Sequence, residues 1–364
     1  MKNWKSIIGW GIAALVAGFI IYSNMQEQKA LQNSGKRNIY AVLPLTGPRG
    51  QSGKDAKTVM DYYYQNGDYP FNLIYIDSET NPTKAITALQ QKTTSEEQPI
   101  VIAAISSVVG AIAPYLGQKN GFMFAITAWN KDIPNFVRLH SDVDGMLEPM
   151  VPYLKQHAAK VALVYVEDEF GRLERNYLAK RLQEENIPMD ELSISVKTLD
   201  VRTEVLKLKS FNPDAVVILG VPTQGYINVM RELLAQEYKG KILYDPALTA
   251  RHVRTQLPNG IMGTCLSLEA EGEKNPKQKQ FQEDLSAMGL PIFSMLIEAK
   301  DVIDLIKYSM ENNLPFTQET YEKMKNWTGM SGNIKFLPKG DTAYPYVLVE
   351  HQDGKFIPVE SEAK

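Results

Sequence analysis

The segment that decides the fold runs from Ala41 to Gln65 and reads AVLPLTGPRGQSGKDAKTVMDYYYQ. Its first residues are an apolar run that ends in a turn rich in proline and glycine. A helical pattern follows, because apolar residues recur at intervals of three and four between Ala56 and Tyr63. A strand, a glycine-bearing turn and a helix in this order predict one unit of an α/β fold.

The turn leaves two interpretations open. Gly47, Gly50 and Gly53 are evenly spaced, which fits neither the dinucleotide-binding fingerprint nor a P-loop. The segment is either a plain turn before a helix, or a loop whose backbone N–H groups contact an anionic or polar group with help from Arg49 or Ser52. A choice between the two depends on what the rest of the chain contributes.

Short apolar runs alternate with helical patterns through most of the chain. The runs are NIYAVLPL, FNLIYID, IVIAAI and FMFAI in a first set, and KVALVYV, ELSISV, DAVVILG and KILYD in a second set. Residues 140–157, 278–288 and 293–312 read as helices, and the tail is rich in strands. Continuous apolar strands that alternate with helices predict parallel sheets covered on both faces, and two sets predict two α/β lobes.

Ligands of such sheets bind beyond the carboxyl ends of the strands, so the residues that follow each strand are the informative ones. Ile105 ends one strand and precedes Ser106 and Ser107, which either cap a helix or bind a carboxylate. Trp129, next to Ala128 and Asn130, either stacks on a ligand or closes the surface of its lobe. The acids Glu167 to Glu169 either favour a helix N-terminus or line a cleft.

The N-terminal residues 1–24 are expected to form a membrane anchor. Two lysines precede an uncharged run from Ser6 to Ser23, which as a helix spans about 27 Å. The run is longer than the apolar core of a signal peptide, although a cleaved signal is the alternative. The lysines place the N-terminus in the cytoplasm, so residues beyond a polar tether at 25–37 are expected on the extracytoplasmic side.

Composition excludes several classes of function. The chain has 364 residues, 44% of them hydrophobic, and a net charge of −3, which excludes disorder and gives no reason to expect a nucleic-acid partner. With one cysteine and four scattered histidines, no disulfide or metal site is expected. No recognisable catalytic spacing occurs. We therefore predict a protein without catalytic residues, metal or cofactor.

Five segments together resemble the type I periplasmic-binding-protein family, specifically the leucine/isoleucine/valine-binding receptors of ABC importers. They are PLTGPRGQSGKDA, IDSETNPTKAITALQQ, IAAISSVVGAIAP with GFMFAITAWN, VALVYVEDEFGR, and the tail from GMSGNIKFLPKGD to GKFIPV. The resemblance implies two doubly wound lobes, joined by three crossovers, that close on a ligand like a Venus flytrap. Lobe 1 would comprise residues 38–140 and 269–330, and lobe 2 residues 141–268 and 331–360. The crossovers would fall near Arg138–Ser141, Leu266–Glu271 and Gly329–Gly332.

The resemblance also implies roles for individual residues. Ser107 matches the serine that grips a ligand carboxylate, and Asn130 falls at the position of the accompanying threonine. Ala128 falls at a backbone contact. Phe170 matches one cleft-closing aromatic, whereas a second falls at Val221 or Pro222, where the aromatic ring is lost.

Two positions depart further from the family. The acid that pairs with a ligand ammonium group falls on Ala247, so Asp245 or the acids at 167–169 would have to replace it. A loop aromatic near the ligand falls on Ser52. Because an ammonium group buried without a carboxylate partner is costly, these departures argue against an ordinary branched aliphatic amino acid as the ligand.

The expected function is thus a tethered receptor that captures a small polar solute, amino-acid-like or a carboxylate, and delivers it to an ABC permease. A second hypothesis is a sensory or regulatory module of the same fold that binds a protein partner. An enzyme is the third and least supported hypothesis, because no catalytic motif is present.

Overall fold

The computed structural model describes residues 35–127 and 133–359. The predicted anchor at 1–24 and nearly all of the tether at 25–37 lie outside these residues. The strands are β1 Arg37–Leu43, β2 Phe71–Asp77, β3 Ile100–Ala103, β4 Phe122–Ala125, β5 Phe136–Arg138, β6 Val161–Val166, β7 Met189–Ile194, β8 Ala215–Leu219, β9 Lys241–Tyr244, β10 Met262–Leu266, β11 Asn326–Gly329, β12 Gly332–Phe336, β13 Thr342–Ala343, β14 Tyr346–Gln352 and β15 Lys355–Pro358.

Helices connect most of the strands. They are α1 Gly50–Asn66, α2 Pro82–Lys92, α3 Ser106–Gln118, α4 Val143–Leu147, α5 Met150–His157, α6 Glu169–Glu184, α7 Arg202–Phe211, α8 Gln224–Ala235, α9 Arg251–Arg254, α10 Pro276–Ala287, α11 Ser294–Glu311 and α12 Gln318–Met324. No helix within 35–127 or 133–359 combines the length and apolar character that a bilayer span requires.

The first sheet is parallel, with strand order β2-β1-β3-β4-β5. Alternate residues of β1 enter different apolar clusters, Ile39 and Ala41 on one face and Tyr40 and Val42 on the other. Both faces are therefore buried under helices, which explains why the strand reads as a continuous apolar run rather than as an alternation.

The second sheet has seven strands in the order β15-β14-β10-β9-β8-β6-β7. Its five strands from β6 to β10 are parallel, and β14 pairs antiparallel with β10. Val161 and Leu163 face one cluster, whereas Ala162 and Val164 face the other. One parallel sheet and one sheet with a parallel core of five strands, each with helices on both faces, confirm the predicted class, a pair of doubly wound α/β lobes.

The third crossover was predicted near Gly329–Gly332, and that position stays a prediction. That segment is a tight hairpin between β11 and β12, in which Gly332 has a φ of +106°, a conformation that favours glycine. β11, β12 and β13 form a separate three-stranded sheet. The chain enters the seven-stranded sheet only after Ala343. The lobe limits given above are kept as a proposal.

The predicted helix at 140–157 is two helices, α4 and α5. Pro149 lies between them, and its missing N–H cannot continue the hydrogen-bond ladder of α4. The sequence pattern also missed β5, which has three residues, and β10. β5 is too short to show a period, and Gly263 and Thr264 interrupt the apolar run of β10.

Candidate ligand-binding site

A cavity of about 480 Å³ lies where the carboxyl ends of the two parallel sheets face each other. The wall on the side of the first sheet consists of Arg49, Thr80, Ile105, Ser106, Ser107, Ile126 and Thr127. The wall on the side of the second sheet consists of Asp168, Glu169, Phe170, Leu173, Val221 and Pro222. The remaining lining residues are His140, Ser294, Met295 and Glu298. The position follows the rule that parallel α/β sheets bind ligands beyond their strand ends. Its volume suits a small organic molecule.

The N-terminus of α3 forms one wall. Ile105 precedes this helix with a φ of +72°, which is an outlier for a β-branched residue. Strain of this kind persists where the surrounding structure imposes it, and it is concentrated at functional sites. Ser106 Oγ lies 3.2 Å from Thr127 Oγ1, so the ends of β3 and β4 are joined at the cavity.

Ser107 is exposed to the cavity and is available to a ligand. Its backbone N–H belongs to the first turn of α3, where no carbonyl of the helix can accept it. Among the described residues, neither this N–H nor the side-chain hydroxyl has a hydrogen-bond partner. Two donors at a helix N-terminus are suited to a carboxylate.

The opposite wall is the start of α6. Asp168 caps this helix by accepting from the backbone N–H of Gly171 at 2.7 Å. Burial raises the pKa of Asp168, while the bond from Gly171 and the charge of Arg49 oppose the rise. Arg49 and Asp168 therefore attract each other across the cavity, one from each side.

The wall beside α11 carries an acid and an imidazole. Glu298 Oε1 lies 2.6 Å from His140 Nδ1, and the Glu298 side chain is only 2% exposed. His140 follows β5 at the first crossover, whereas Glu298 lies on α11. The pair thus connects two distant segments at the cavity.

The family profile described as "Periplasmic binding protein" matches residues 38–297. The chain belongs to the periplasmic binding protein family. Solved members of the type I group are less than 25% identical to this chain, so their similarity to it is at the level of the fold. No curated protein matches the chain at a significant level.

Solved structures share the architecture of this periplasmic binding protein. The leucine-binding protein LivK of Thermotoga maritima is 19% identical with a TM-score of 0.72, over 89% of this chain and 98% of that one. A solute-binding protein of an ABC transporter from R. palustris, solved with 4-hydroxybenzoate, is 19% identical with a TM-score of 0.72, over 89% and 96%. An amino acid ABC transporter substrate-binding protein of Pseudomonas fluorescens Pf-5 is 16% identical with a TM-score of 0.73, over 90% and 95%.

The structure brings many of the predicted site residues together in this binding protein, including Arg49, Ser106, Asp168, Glu169 and Pro222. Ile105, Ser107, Phe170 and Val221 all line the cavity. Ala128, Trp129 and Asn130 lie outside the described residues, so their predicted contacts stay predictions. Thr127, the residue before them, does line the cavity.

Two backbone donors of the opening turn are already used within the protein. Asp77, at the end of β2, accepts from the backbone N–H groups of Leu45 at 2.9 Å and Thr46 at 3.1 Å, so these donors are already used. Although burial alone would raise it, the bonds from Thr46 and its neighbours lower the pKa of Asp77. Ser52 does not line the cavity, whereas Arg49 does.

Asp245 and Ala247 also lie away from the cavity lining. Asp245 is fully buried, and its carboxylate accepts from Gly220 N at 2.8 Å, the Tyr226 hydroxyl at 2.6 Å and Ala247 N at 2.9 Å. These bonds shape the loop after β8. The expectation that Asp245 replaces the ammonium-binding acid is therefore not supported, and Asp168 or Glu169 is better placed for that role.

Sequence reasoning missed the α11 side of the cavity. Ser294, Met295 and Glu298 are far along the chain from every strand end that we considered, and a helical run gives no sign that one turn faces a ligand. His140 was noted only as one of four scattered histidines. The signal that marks it is its place directly after a strand at a crossover.

Proposed function

We propose that this protein is the solute-binding receptor of an ABC importer and binds a small carboxylate in the cavity between its lobes. The single observation that carries the proposal is the cavity itself, whose walls come from the strand ends of both parallel sheets. A ligand there would contact both lobes at once. Contacts made only in the closed arrangement favour that arrangement, which is how hinge closure is driven.

The class of solute follows from the lining. Ser107 offers a hydroxyl and a helix N-terminal amide to an anionic group, and Arg49 lies on the same side. Ile105, Ile126, Phe170, Leu173, Val221, Pro222 and Met295 provide an apolar surface. Apolar walls with a few polar groups are typical of sites for small organic ligands. We therefore propose a carboxylate with an apolar body, such as an aromatic acid or an amino acid.

The solved relatives support this choice. Structures that share the fold were determined with 4-hydroxybenzoate and with benzoate, and another is a leucine-binding protein. The site in this chain is compatible with an aromatic carboxylate and with an amino acid. Its acids Asp168, Glu169 and Glu298 are compatible with an ammonium group, and its apolar residues are compatible with a phenyl ring.

The proposed place of action is the extracytoplasmic side of the membrane. The uncharged run from Ser6 to Ser23, preceded by Lys2 and Lys5, is the basis for proposing an N-terminal anchor. The two lobes would then stand on the tether at 25–37, close to a permease.

Titration calorimetry on the full chain in detergent micelles tests the proposal. Benzoate, 4-hydroxybenzoate and leucine are the probes, and glucose is a neutral control. We expect saturable micromolar binding of at least one carboxylate, no heat with glucose, and a smaller radius of gyration by X-ray scattering when the solute is bound. The importer role is tested by uptake of that solute in cells that lack this protein.

Absence of binding by any carboxylate would reject this function. Retention of a specific protein partner by the same solute-free preparation would then favour the regulatory module as the function.

A further inference from the structure

The His140 imidazole and the Glu298 carboxylate form a polar pair within a largely apolar cavity. Only one nitrogen and one oxygen are used in the contact between them, His140 Nδ1 and Glu298 Oε1, at 2.6 Å. Among the described residues, His140 Nε2 and Glu298 Oε2 have no hydrogen-bond partner. Neither atom is one of the fully buried side-chain atoms that lack a hydrogen-bond partner.

Both residues line the cavity, so these two atoms are the polar groups that a ligand can reach. Glu298 Oε2 is an acceptor in the ionised carboxylate. In the neutral imidazole, donation of the Nδ1 proton to Glu298 leaves Nε2 as an acceptor as well. The pair then presents acceptors rather than donors to a solute.

The surroundings leave these acceptors without a compensating cation. The charge of Glu298 also acts on Glu269, whose pKa is raised to about 8 by burial together with that charge. Asp168 and Glu169 line the cavity from the second lobe, and Arg49 is the single Lys or Arg side chain among the described lining residues. A ligand that fills the cavity removes these acceptors from water, so a ligand that supplies a donor gains affinity over one that leaves them unpaired.

We propose that the His140–Glu298 pair selects solutes by a hydrogen-bond donor, so that the receptor prefers carboxylates that also carry a hydroxyl or an ammonium group. The inference rests on the proposed function, because it concerns the solute that occupies the same cavity. It adds a requirement for a second polar group on the ligand besides the carboxylate that Ser107 is proposed to bind.

Matched pairs of probes test the inference. Benzoate and 4-hydroxybenzoate differ by one hydroxyl, and 4-methylpentanoate and leucine differ by one amino group, so the two pairs also separate the two sources of the donor. Calorimetry on the full chain should show that the donor-bearing member of at least one pair binds about 10-fold to 100-fold more tightly. In Glu298→Gln this ratio should fall to within about threefold, while the donor-free member keeps its affinity.

The control is Glu311→Gln, which changes an exposed glutamate at the far end of the same helix and should keep the wild-type ratio. His140→Gln is measured in the same way, and it decides the question if Glu298→Gln does not fold by circular dichroism. Equal affinities within both pairs in the wild type would overturn the inference alone. So would an equal loss for both members in the variants, because a structural role has that effect. Binding of no probe would reject the proposed function and the inference with it.

Discussion

Arg138 Nη2 donates to Asp341 Oδ1 at 2.7 Å, which joins the last residue of β5 to the segment just before β13. The Arg138 side chain is 1% exposed. Burial lowers the pKa of Arg138, and the charge of Asp341 opposes that effect. This ion pair therefore connects the end of the first sheet's last strand with the segment that leads into the three-stranded sheet's last strand.

Removal of the acid should destabilise the folded state. Asp341→Ala leaves the guanidinium of Arg138 buried without its direct partner, and loss of one member of a fully buried pair costs about 3–5 kcal/mol, an upper range here because the Asp341 side chain is 34% exposed. We expect about 3 kcal/mol, because Asp142 and Asp144 remain close enough to attract Arg138. Urea denaturation measures the change.

A matched control is Glu319→Ala, which removes one member of an ion pair with Lys323 whose side chains are 72% and 75% exposed. Exposed pairs contribute little, so this variant should unfold near the wild-type midpoint. Equal losses in the two variants would show that burial does not set the contribution of the Arg138 pair.

Gly53 should tolerate no side chain. A Cβ at this position would lie 2.1 Å from the carbonyl oxygen of Pro44, so α1 would have to move away from the end of β1. We expect Gly53→Ala to lower the free energy of unfolding by about 1–3 kcal/mol, the usual range for overpacking. Thermal and urea unfolding both report the loss.

Gly117→Ala provides the control in a helix of the same lobe. A Cβ there meets nothing within 4 Å, and alanine favours a helix over glycine by about 0.5–1 kcal/mol. The control should therefore stabilise the protein. A destabilised Gly117→Ala, or a neutral Gly53→Ala, would contradict the packing seen at these two positions.

The fold could be predicted from the sequence because both sheets are buried on both faces. Strands such as Ile39–Leu43 and Val161–Val166 are continuous apolar runs, and helix signals separate them at regular intervals. Of the strands that escaped prediction, β5 is short and β10 contains Gly263 and Thr264 within its apolar run, and a glycine turn such as the one at Gly332 does not show where the chain passes between lobes. Local pattern does not reveal which sheet a short strand joins.

The candidate site could be predicted only on its strand-end side. Ser107, Phe170 and Val221 follow strands, so topology alone brings them to one cavity. Glu298 is on a helix that reaches the cavity only through tertiary packing, and Asp245 follows a strand but points its carboxylate into its own lobe. Position after a strand is therefore a guide to the cavity but does not determine which way a side chain faces.

Stability should fall as the pH rises from about 5 to 8. Burial raises the pKa of Asp301 to about 7 and that of Glu269 to about 8. The unfolded chain releases these protons near pH 4. Between about pH 4 and the folded-state pKa values the folded state binds more protons than the unfolded state. The stability that these protons contribute is fully present below about pH 4 and is lost as the pH rises through 7 and 8.

Glu269→Gln should flatten this slope, because the amide keeps the neutral form at every pH. Each unit of pH over which one proton separates the two states changes the free energy of unfolding by about 1.4 kcal/mol. Urea denaturation at half-unit steps from pH 5 to pH 8 gives the slope for both proteins. Parallel slopes for wild type and variant would show that Glu269 does not carry the proton.

Ser107 should matter for binding and not for folding. Its hydroxyl has no hydrogen-bond partner among the described residues, so Ser107→Ala removes nothing from the folded protein there. In the complex the same change leaves a buried carboxylate oxygen without a donor, and we expect affinity for the bound carboxylate to fall by about 1–3 kcal/mol.

Ser286→Ala, on the exposed side of α10, is the control and should leave affinity unchanged. Asn130→Ala, which the family resemblance places at the same end of the ligand, should weaken binding by a similar amount. Calorimetry with one probe on all three variants decides the matter, and wild-type affinity in both Ser107→Ala and Asn130→Ala would mean that this chain holds its carboxylate elsewhere in the cavity.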